Sequence, residues 1–436
     1  MISRDLYENY INILRAELVP AMGCTEPIAI AYAASKARAI LNEEPQKISV
    51  ACSGNIIKNV KGVIVPNSGG QKGIEAAAIL GAVGGDSEKE LEVISNATDS
   101  ARELTKKLVR EKFCDVSLVE DVPNLYIEVK AQGKNHNSRV IIQDHHINIV
   151  LIELDGKIIY QGNTHKEEED SKEVKPNFDT HKMSLQTILE FADELEINDV
   201  QEILNRQIEY NSRISQEGLD NKWGAKVGKT ILENWGRDVR SSACARAAAG
   251  SDARMSGCPL PVIINSGSGN QGITVTMPVL EYADNWRLSR EKIYRALTVS
   301  NLVSIYIKHY IGSLSAFCGA VSAAAGAGAA ITYMAGGDFA SVGRTITNTL
   351  ANVGGIVCDG AKPSCAAKIA SSVNAALLAH YLSMNEYNFK GGEGFVKDDV
   401  EHTIKNMGYI GKIGMKETDK EILNIMIDRV NVESCL

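Results

Sequence analysis

Three of the nine cysteines of this 436-residue chain lie in glycine-containing segments of its last third. Cys318 stands in the run Ser-Ala-Phe-Cys-Gly-Ala, and Cys358 and Cys365 flank a turn that contains Gly360 and Pro363. Such a turn could direct two thiolates at one point. The spacing between these two cysteines matches neither zinc knuckles nor ferredoxins, and free cysteine often packs as a small apolar side chain. The spacing alone is compatible with metal binding and with simple packing of the cysteines in the core.

A set of three thiolates has two chemical interpretations. A cubane iron–sulfur cluster with three protein ligands keeps one iron open as a Lewis acid, whereas an electron carrier usually has four. Zinc held by three thiolates and a water is the other interpretation. Both predict a Lewis acid with an open coordination position.

Cys24 precedes residues 28–41, in which apolar side chains recur at helical spacing. Thr25 can cap this helix and Pro27 suits its first turn, so Cys24 would lie just outside a helix N-terminus. A helix N-terminus lowers the pKa of a nearby thiol and keeps thiolate available near neutral pH. The pattern therefore favours a reactive thiol that could act as a base.

Three loops rich in Gly, Ser and Asn follow apolar, strand-like runs. Glycines let backbone amides approach an anion, and Ser and Asn add neutral donors, so such loops suit a carboxylate or phosphate. None matches the dinucleotide or P-loop patterns, and each could be only a turn, but three in one chain favour a ligand. Arg246 and Arg254 could bind a substrate carboxylate, although ordinary ion pairs are expected. The candidate substrate-binding residues in the loops are Ser53, Gly54, Asn55, Asn67, Ser68, Gly69, Ser268, Gly269, Asn270 and Gln271.

Composition favours a small polar solute as the partner. The net charge of -8 leaves no basic surface for nucleic acid or an anionic membrane, and aromatic residues make up only 6% of the chain. The first residues include acidic side chains and lack the apolar stretch of a signal peptide, so a cytoplasmic location is expected. Residues 310–337 are uncharged but mostly Gly, Ala and Ser, which predicts a buried helix. A homo-oligomer is possible.

Hydrophobic periodicity predicts an α+β fold. Apolar residues follow helical spacing in residues 1–110 and again from residue 183 nearly to the end of the chain. Several of the later helices are apolar on every face and must be interior in a soluble protein. We therefore expect a mainly helical catalytic domain formed by both ends of the chain, residues 1–110 and 181–436.

Residues 111–180 are expected to form a small inserted α/β domain. Apolar residues alternate with period two between residues 111 and 162, which predicts a sheet. The charged run at residues 165–175 predicts a solvated linker. The adjacent His145 and His146 would point to opposite faces of a strand, and we expect them at the surface.

Six motifs, in this order, resemble the L-cysteine desulfidase family. The similarity runs from about residue 15 to about residue 385, and its second half is also similar, more distantly, to the alpha domain of the oxygen-sensitive iron–sulfur L-serine dehydratases. The motifs are Met22-Gly23-Cys24-Thr25-Glu26-Pro27, Ser53-Gly54-Asn55, Pro66-Asn67-Ser68-Gly69, Gly267-Ser268-Gly269-Asn270-Gln271-Gly272, Phe317-Cys318-Gly319 and Cys358-Asp359-Gly360-Ala361-Lys362-Pro363-Ser364-Cys365.

The resemblance implies that Cys318, Cys358 and Cys365 bind three irons of a 4Fe-4S cluster. It also implies that Cys24 is a catalytic thiol and that the three loops surround the substrate. The implied activity is β-elimination, in which L-cysteine gives pyruvate, ammonia and hydrogen sulfide. In the related L-serine dehydratases a cysteine near the C-terminus is thought to protect the open iron, and Cys435 could do so here, although a frayed terminus is the simpler interpretation.

Three alternative functions remain. An iron–sulfur L-serine dehydratase would use the same cluster and the same elimination with a hydroxyl leaving group. A pyridoxal-phosphate lyase would need an imine-forming lysine, and Lys58, Lys61 and Lys72 lie near the loops. A redox or iron sensor would carry an exposed cluster that signals without converting a substrate.

Overall fold

The computed structural model describes residues 2–162, 178–312 and 315–430, together with residue 433. The predicted linker at residues 165–175 and Cys435 lie outside the described residues. Helices dominate the described part of the chain and accompany one six-stranded sheet, so the predicted α+β fold is confirmed.

The helices are distributed along the whole described chain. In order they are α1 (Arg4–Glu17), α2 (Thr25–Leu41), α3 (Gly54–Val60), α4 (Gly73–Gly84), α5 (Asp99–Arg110), α6 (Leu185–Glu194), α7 (Gln201–Asp220), α8 (Val227–Asn234), α9 (Val239–Met255), α10 (Gly269–Asn285), α11 (Arg290–Ile311), α12 (Gly319–Met334), α13 (Phe339–Val353), α14 (Cys365–Met384), α15 (Val400–Tyr409) and α16 (Lys416–Met426).

The strands form one large sheet and one short pair. They are β1 (Pro20–Met22), β2 (Lys47–Cys52), β3 (Cys114–Leu118), β4 (Tyr126–Gln132), β5 (Asn137–Gln143), β6 (Ile149–Leu154), β7 (Lys157–Gln161) and β8 (Pro261–Ile263). The large sheet has the order β3-β2-β4-β5-β6-β7, in which β2 and β3 are parallel and the other neighbours are antiparallel. The short pair joins β1 to β8.

The sheet is not confined to the predicted insert. Strand β2 lies between β3 and β4 and comes from residues 47–52, outside the predicted boundary of 111–180. Its alternating burial shows why it belongs there, because Ile48, Val50 and Cys52 are buried and the residues between them are more exposed. The division of the chain at residues 111 and 180 stays a prediction.

Helix α12 lies at the centre of the helical part and contacts α10, α11, α13 and α14. Small side chains allow this packing, and a Cβ at Gly326 would clash with the backbone of Ser300 in α11. No helix among the described residues is long and apolar enough to span a membrane. The uncharged segment at residues 310–337 instead contains this buried helix.

Helix α14 carries a buried histidine that should make stability depend on pH. His380 is 3% exposed, and its Nδ1 lies 2.9 Å from the Thr332 hydroxyl. Burial lowers its pKa to about 4, so the folded protein binds this proton less readily than the unfolded chain. The contribution of neutral His380 to the free energy of unfolding is therefore complete above pH ~6.5. It is lost as the pH falls toward 4, by at most about 1.4 kcal/mol per pH unit.

Chemical denaturation of the wild type and of His380→Gln between pH 7.5 and 4.5 measures this effect. Below pH ~6.5 the free energy of unfolding should fall less steeply in the variant, since its neutral amide binds no proton. Equal pH slopes in the two proteins would contradict the assignment.

Candidate active site

Cys318, Cys358 and Cys365 are positioned by two helix starts and a short backbone bridge. Cys318 is the N-cap of α12, and Cys365 is the first residue of α14. The backbone N–H of Cys318 donates to the carbonyl of Ile356 at 3.1 Å, and that of Cys358 donates to the carbonyl of Ala316 at 2.6 Å. The bridge therefore places Cys358 beside the start of α12.

The loop between the second and third cysteines packs directly against α3. Gly360 has φ +95°, and a Cβ there would clash with the carbonyl oxygen of Lys58. Asp359 forms ion pairs with Lys362, at 2.8 Å, and with Lys368. Partial burial opposes ionisation of Asp359, but the two lysines outweigh it and lower the pKa to about 2. The loop thus has a fixed backbone conformation before any metal binds.

The three thiols are close enough to influence one another's ionisation. Burial, with smaller contributions from Cys358 and Cys365, raises the pKa of Cys318 to about 12. Burial likewise raises the pKa of Cys365. Since metal ligation requires thiolates, a bound cation would have to supply the free energy that deprotonates them.

The spacing of these thiols bears on the choice between zinc and a cluster. Across the described residues, no three His, Cys, Asp or Glu side chains converge tightly enough for a single metal ion. A cubane distributes its thiolates over separate irons and so requires no such convergence. Three thiols are the donor set that a cubane with three protein ligands would take.

Cys24 is itself the N-cap of α2, and the predicted cap Thr25 is the first helical residue. Its sulfur lies 3.9 Å from that of Met255, and Cys365 packs against the same small apolar cluster. The expected low pKa is wrong. Burial raises the pKa of Cys24 to about 12, because the desolvated thiolate loses more than the nearby Arg254 restores, and Glu26 adds to the increase.

The N-terminal ends of four helices meet around these cysteines. The Thr25 hydroxyl at the start of α2 donates to the carbonyl of Gly267, just before α10, at 2.9 Å. A Cβ on Gly319 at the start of α12 would lie 2.7 Å from the Gln271 side chain in α10. Cys365, which begins α14, packs against the apolar cluster that contains Cys24.

None of these four helix starts is capped by a side chain. The N-cap positions of α2, α10, α12 and α14 make no side-chain hydrogen bond. Those of α4, α7, α8 and α16 make none either, whereas those of α1, α5, α9 and α13 do. Uncapped N-termini present free N–H groups and the positive ends of helix dipoles. Their junction therefore suits an anionic ligand.

Several buried polar atoms without hydrogen-bond partners lie at the start of α10 or on segments that contact these helices. Leaving such atoms unpaired is unfavourable, so a group of them indicates a missing ligand or water. In the described part of the chain they include Asn55 Oδ1, Asn59 Oδ1, His146 Nε2, Arg254 Nε, Asn270 Oδ1 and Gln271 Oε1.

His146 reaches this site from the β5–β6 connection, so its expected surface position is wrong. A Cβ on Gly267 would lie 3.2 Å from its ring, and Glu26 and Arg254 are near enough to affect its charge. Burial lowers its pKa below the ordinary value. The neighbouring His145 is exposed, as expected. His146 therefore presents a neutral imidazole with an unpaired Nε2.

Arg254 also lies in the site, although an ordinary ion pair was expected. Arg246 does form one, with Glu281 at 2.6 Å. Arg254 is 3% exposed, forms no ion pair with any described residue, and lies against Gly269, where a Cβ would clash with its Nε. Its guanidinium is available to a carboxylate at the start of α10.

Lys308, near the end of α11, is a residue that the sequence reasoning missed. It is 7% exposed, and burial lowers its pKa to about 8, although Cys358 and Cys318 oppose that shift. Nothing in its sequence context distinguishes it from a surface lysine, because its burial arises from long-range packing.

Two of the predicted loop residues make contacts that stabilise the fold. The Ser53 hydroxyl caps α3 and donates to the carbonyl of Asn124 at 2.6 Å. Gly54 lies under Leu423 of α16, where a Cβ would clash. In this loop only Asn55 offers an unpaired buried atom.

The second loop also has internal partners. The Asn67 amide donates to the carbonyls of Ile94 and Ser95, at 2.9 and 3.0 Å. The fully buried Ser68 hydroxyl accepts from the backbone N–H of Gln71 at 2.9 Å. Gly69 follows with φ +70°. The polar side chains of this loop therefore already have hydrogen-bond partners within the protein. In the third loop, Ser268 is the N-cap of α10, and Gly269, Asn270 and Gln271 form the start of that helix.

Comparison with known proteins identifies the family. A profile of the serine dehydratase alpha chain matches residues 88–424. The chain belongs to the serine dehydratase alpha chain family. It is 50% identical to a "UPF0597 protein" of Lachnoclostridium phytofermentans, over 97% of this chain and all of the relative. It is 49% identical to a UPF0597 protein of Desulfitobacterium hafniense, over 97% of this chain and 97% of the relative. It is also 49% identical to a UPF0597 protein of Finegoldia magna, over 97% of this chain and 100% of the relative.

In this member of the serine dehydratase alpha chain family, the matched region contains most of the site. It includes the three clustered cysteines, His146, Arg254 and Lys308, and it begins after Cys24. The N-terminal segment that supplies Cys24 joins the matched region through the β1–β8 pair and the Thr25–Gly267 hydrogen bond.

Proposed function

We propose that the protein is a carbon–sulfur lyase that converts L-cysteine to pyruvate, ammonia and hydrogen sulfide with a 4Fe-4S cluster bound by Cys318, Cys358 and Cys365. Membership of the serine dehydratase alpha chain family supports an elimination reaction on a small amino acid. The observation that carries the proposal is the junction of four uncapped helix N-termini, at which three thiols, Cys24 and unpaired buried polar atoms meet.

The donors at this junction fit the proposed cofactor. Three cysteines supply three ligands, and a cluster so held would act through its open iron as a Lewis acid on the leaving group. The helix N-termini favour its negatively charged ligand set.

The remaining groups fit the two ends of an amino acid. The Arg254 guanidinium and the free N–H groups of α10 would bind the carboxylate. The unpaired oxygens of Asn270 and Gln271 are acceptors, and an ammonium group supplies only donors. This arrangement would hold the α-carbon between α10 and the cysteines.

Elimination begins with removal of the α-proton, which requires a base near neutral pH. Cys24 is a neutral thiol in the structure because burial keeps its pKa near 12. His146 is neutral as well, and its unpaired Nε2 would accept a proton in the tautomer that carries the hydrogen on Nδ1. The proposal therefore assigns the α-proton to His146 and not to Cys24.

A protonated Cys24 has a complementary role. The α-proton first moves reversibly to His146. The Cβ–S bond then breaks, and the departing hydrosulfide takes a proton from the substrate ammonium and leaves as hydrogen sulfide, which yields neutral aminoacrylate. Transfer of the Cys24 proton to its β-carbon gives the imine, which water hydrolyses to pyruvate and ammonia. The proton on His146 then restores the Cys24 thiol, so the two groups return to their starting states.

Anaerobic reconstitution with iron and sulfide, followed by parallel pyruvate and sulfide assays, tests the function. L-Cysteine should give both products in equal amounts and at a higher kcat/KM than L-serine gives pyruvate. The family name favours L-serine as the second candidate, and a reversed preference would establish a dehydratase instead. A yellow protein without iron, bleached by borohydride, would indicate pyridoxal phosphate and reject both.

A further inference from the structure

Lys308 is a buried cation without a carboxylate partner. Lysine is almost never buried unless it is paired, because an isolated ammonium in a protein interior loses its hydration. Lys308 is 7% exposed, and no carboxylate in residues 2–162, 178–312 or 315–430 lies within ion-pairing distance of it. Its burial therefore requires another source of negative charge.

The neighbours of Lys308 identify that source. The end of α11 lies beside the segment that carries Cys318, because a Cβ on Gly411 would contact both Ile311 and Phe317. Cys358 is joined to the same segment through its hydrogen bond to Ala316, and both cysteines are near enough to favour the charged form of Lys308. The nearby Lys58 is already paired with Asp419. Among the described residues, the groups beside Lys308 that can become anionic are thus the thiols of Cys318 and Cys358.

A neutral thiol does not balance an ammonium, whereas a metal-bound thiolate does. Three thiolates carry one more negative charge than the oxidised cubane core is positive, and a substrate thiolate would add another. We infer that Lys308 is the buried counter-cation of the cluster: a positioning residue that retains iron at Cys318 and Cys358 and stabilises the negative charge of the ligand set. This inference rests on the cluster of the proposed function.

The inference predicts opposite effects of Lys308→Met with and without iron. In the metal-free protein the unbalanced ammonium is unfavourable, so the variant should unfold at the same temperature as the wild type or higher. In the reconstituted protein the variant should release iron to a ferrous chelator about tenfold faster, by analogy with other residues that support metal ligands. Its cluster should also have a more negative reduction potential, because a nearby positive charge favours the reduced form.

Two matched variants separate charge from side-chain size and from surface effects. Lys308→Arg keeps the charge and should retain the wild-type reduction potential. Lys229→Met removes an exposed lysine of α8, paired with Glu233, and should change neither iron release nor potential.

Each result has a definite consequence. Wild-type iron release and potential in Lys308→Met would overturn the inference while leaving the proposed function intact. A clearly less stable metal-free variant would also overturn it, since the ammonium would then have a partner without iron. A wild-type protein that takes up no iron would reject the proposed function itself, and this inference with it.

Discussion

Replacing Cys358 by alanine should abolish iron retention and turnover together. Two remaining thiolates hold a cubane poorly, and the loss should exceed the roughly 10–100-fold that follows removal of a group merely supporting a metal ligand. We expect less than about 1% of wild-type activity, and the same for Cys318→Ala and Cys365→Ala. Iron and acid-labile sulfide per chain, measured after anaerobic reconstitution, check this directly.

The matched control is Cys244→Ala, an equally small change at a fully buried cysteine of α9. This variant should retain iron and activity, because its thiol belongs to the general core. If one of the three cluster variants kept wild-type iron content and turnover, that cysteine would not be a ligand.

Replacing Cys24 by serine should leave the cluster in place and slow turnover by about 100-fold or more, within the range of lost acid–base catalysis. A serine hydroxyl is a far weaker acid than a thiol, so the transfer of a proton to aminoacrylate should suffer. Exchange of the substrate α-proton with deuterated water should continue, because His146 removes that proton.

His146→Gln provides the comparison. It should lose both exchange and turnover, since the amide keeps a polar group in place but accepts no proton at neutral pH. If instead Cys24→Ser abolished exchange and His146→Gln did not, the thiol would be the base despite its burial.

Local signals were sufficient for the elements that carry the cysteines. Helical spacing and the Thr-Glu-Pro sequence after Cys24 predicted the start of α2, and the apolar segment after Cys318 predicted a buried helix. These features depend on residues a few positions apart, which is the range over which capping and periodicity act.

Long-range contacts explain what the sequence did not reveal. Strand β2 pairs in parallel with β3 across the whole α3–α5 segment, and its short alternating run carries no sign of that partner. The burial of His146 and Lys308 likewise depends on helices distant in sequence. The pKa of Cys24 was mispredicted because the helix N-terminus is a local feature, whereas the desolvation that outweighs it comes from tertiary packing.

The loops show a further limit of sequence reasoning. Asn67 and Asn270 stand in similar Gly- and Ser-rich contexts, yet the amide of Asn67 bonds to two backbone carbonyls while the Oδ1 of Asn270 remains unpaired. Composition predicts turns with many polar groups in both cases, and only the neighbouring backbone decides whether those groups are paired.

The pairing of β1 with β8 has a consequence for synthesis of the chain. Residues 20–22 hydrogen-bond to residues 261–263, and Cys365 packs against the apolar cluster that contains Cys24, so the site joins segments made early and late at the ribosome. Contacts of such long sequence separation form slowly. A nascent chain cannot assemble the three cysteines until α14 has emerged, and the metal binding of the proposed function would have to follow that point of synthesis.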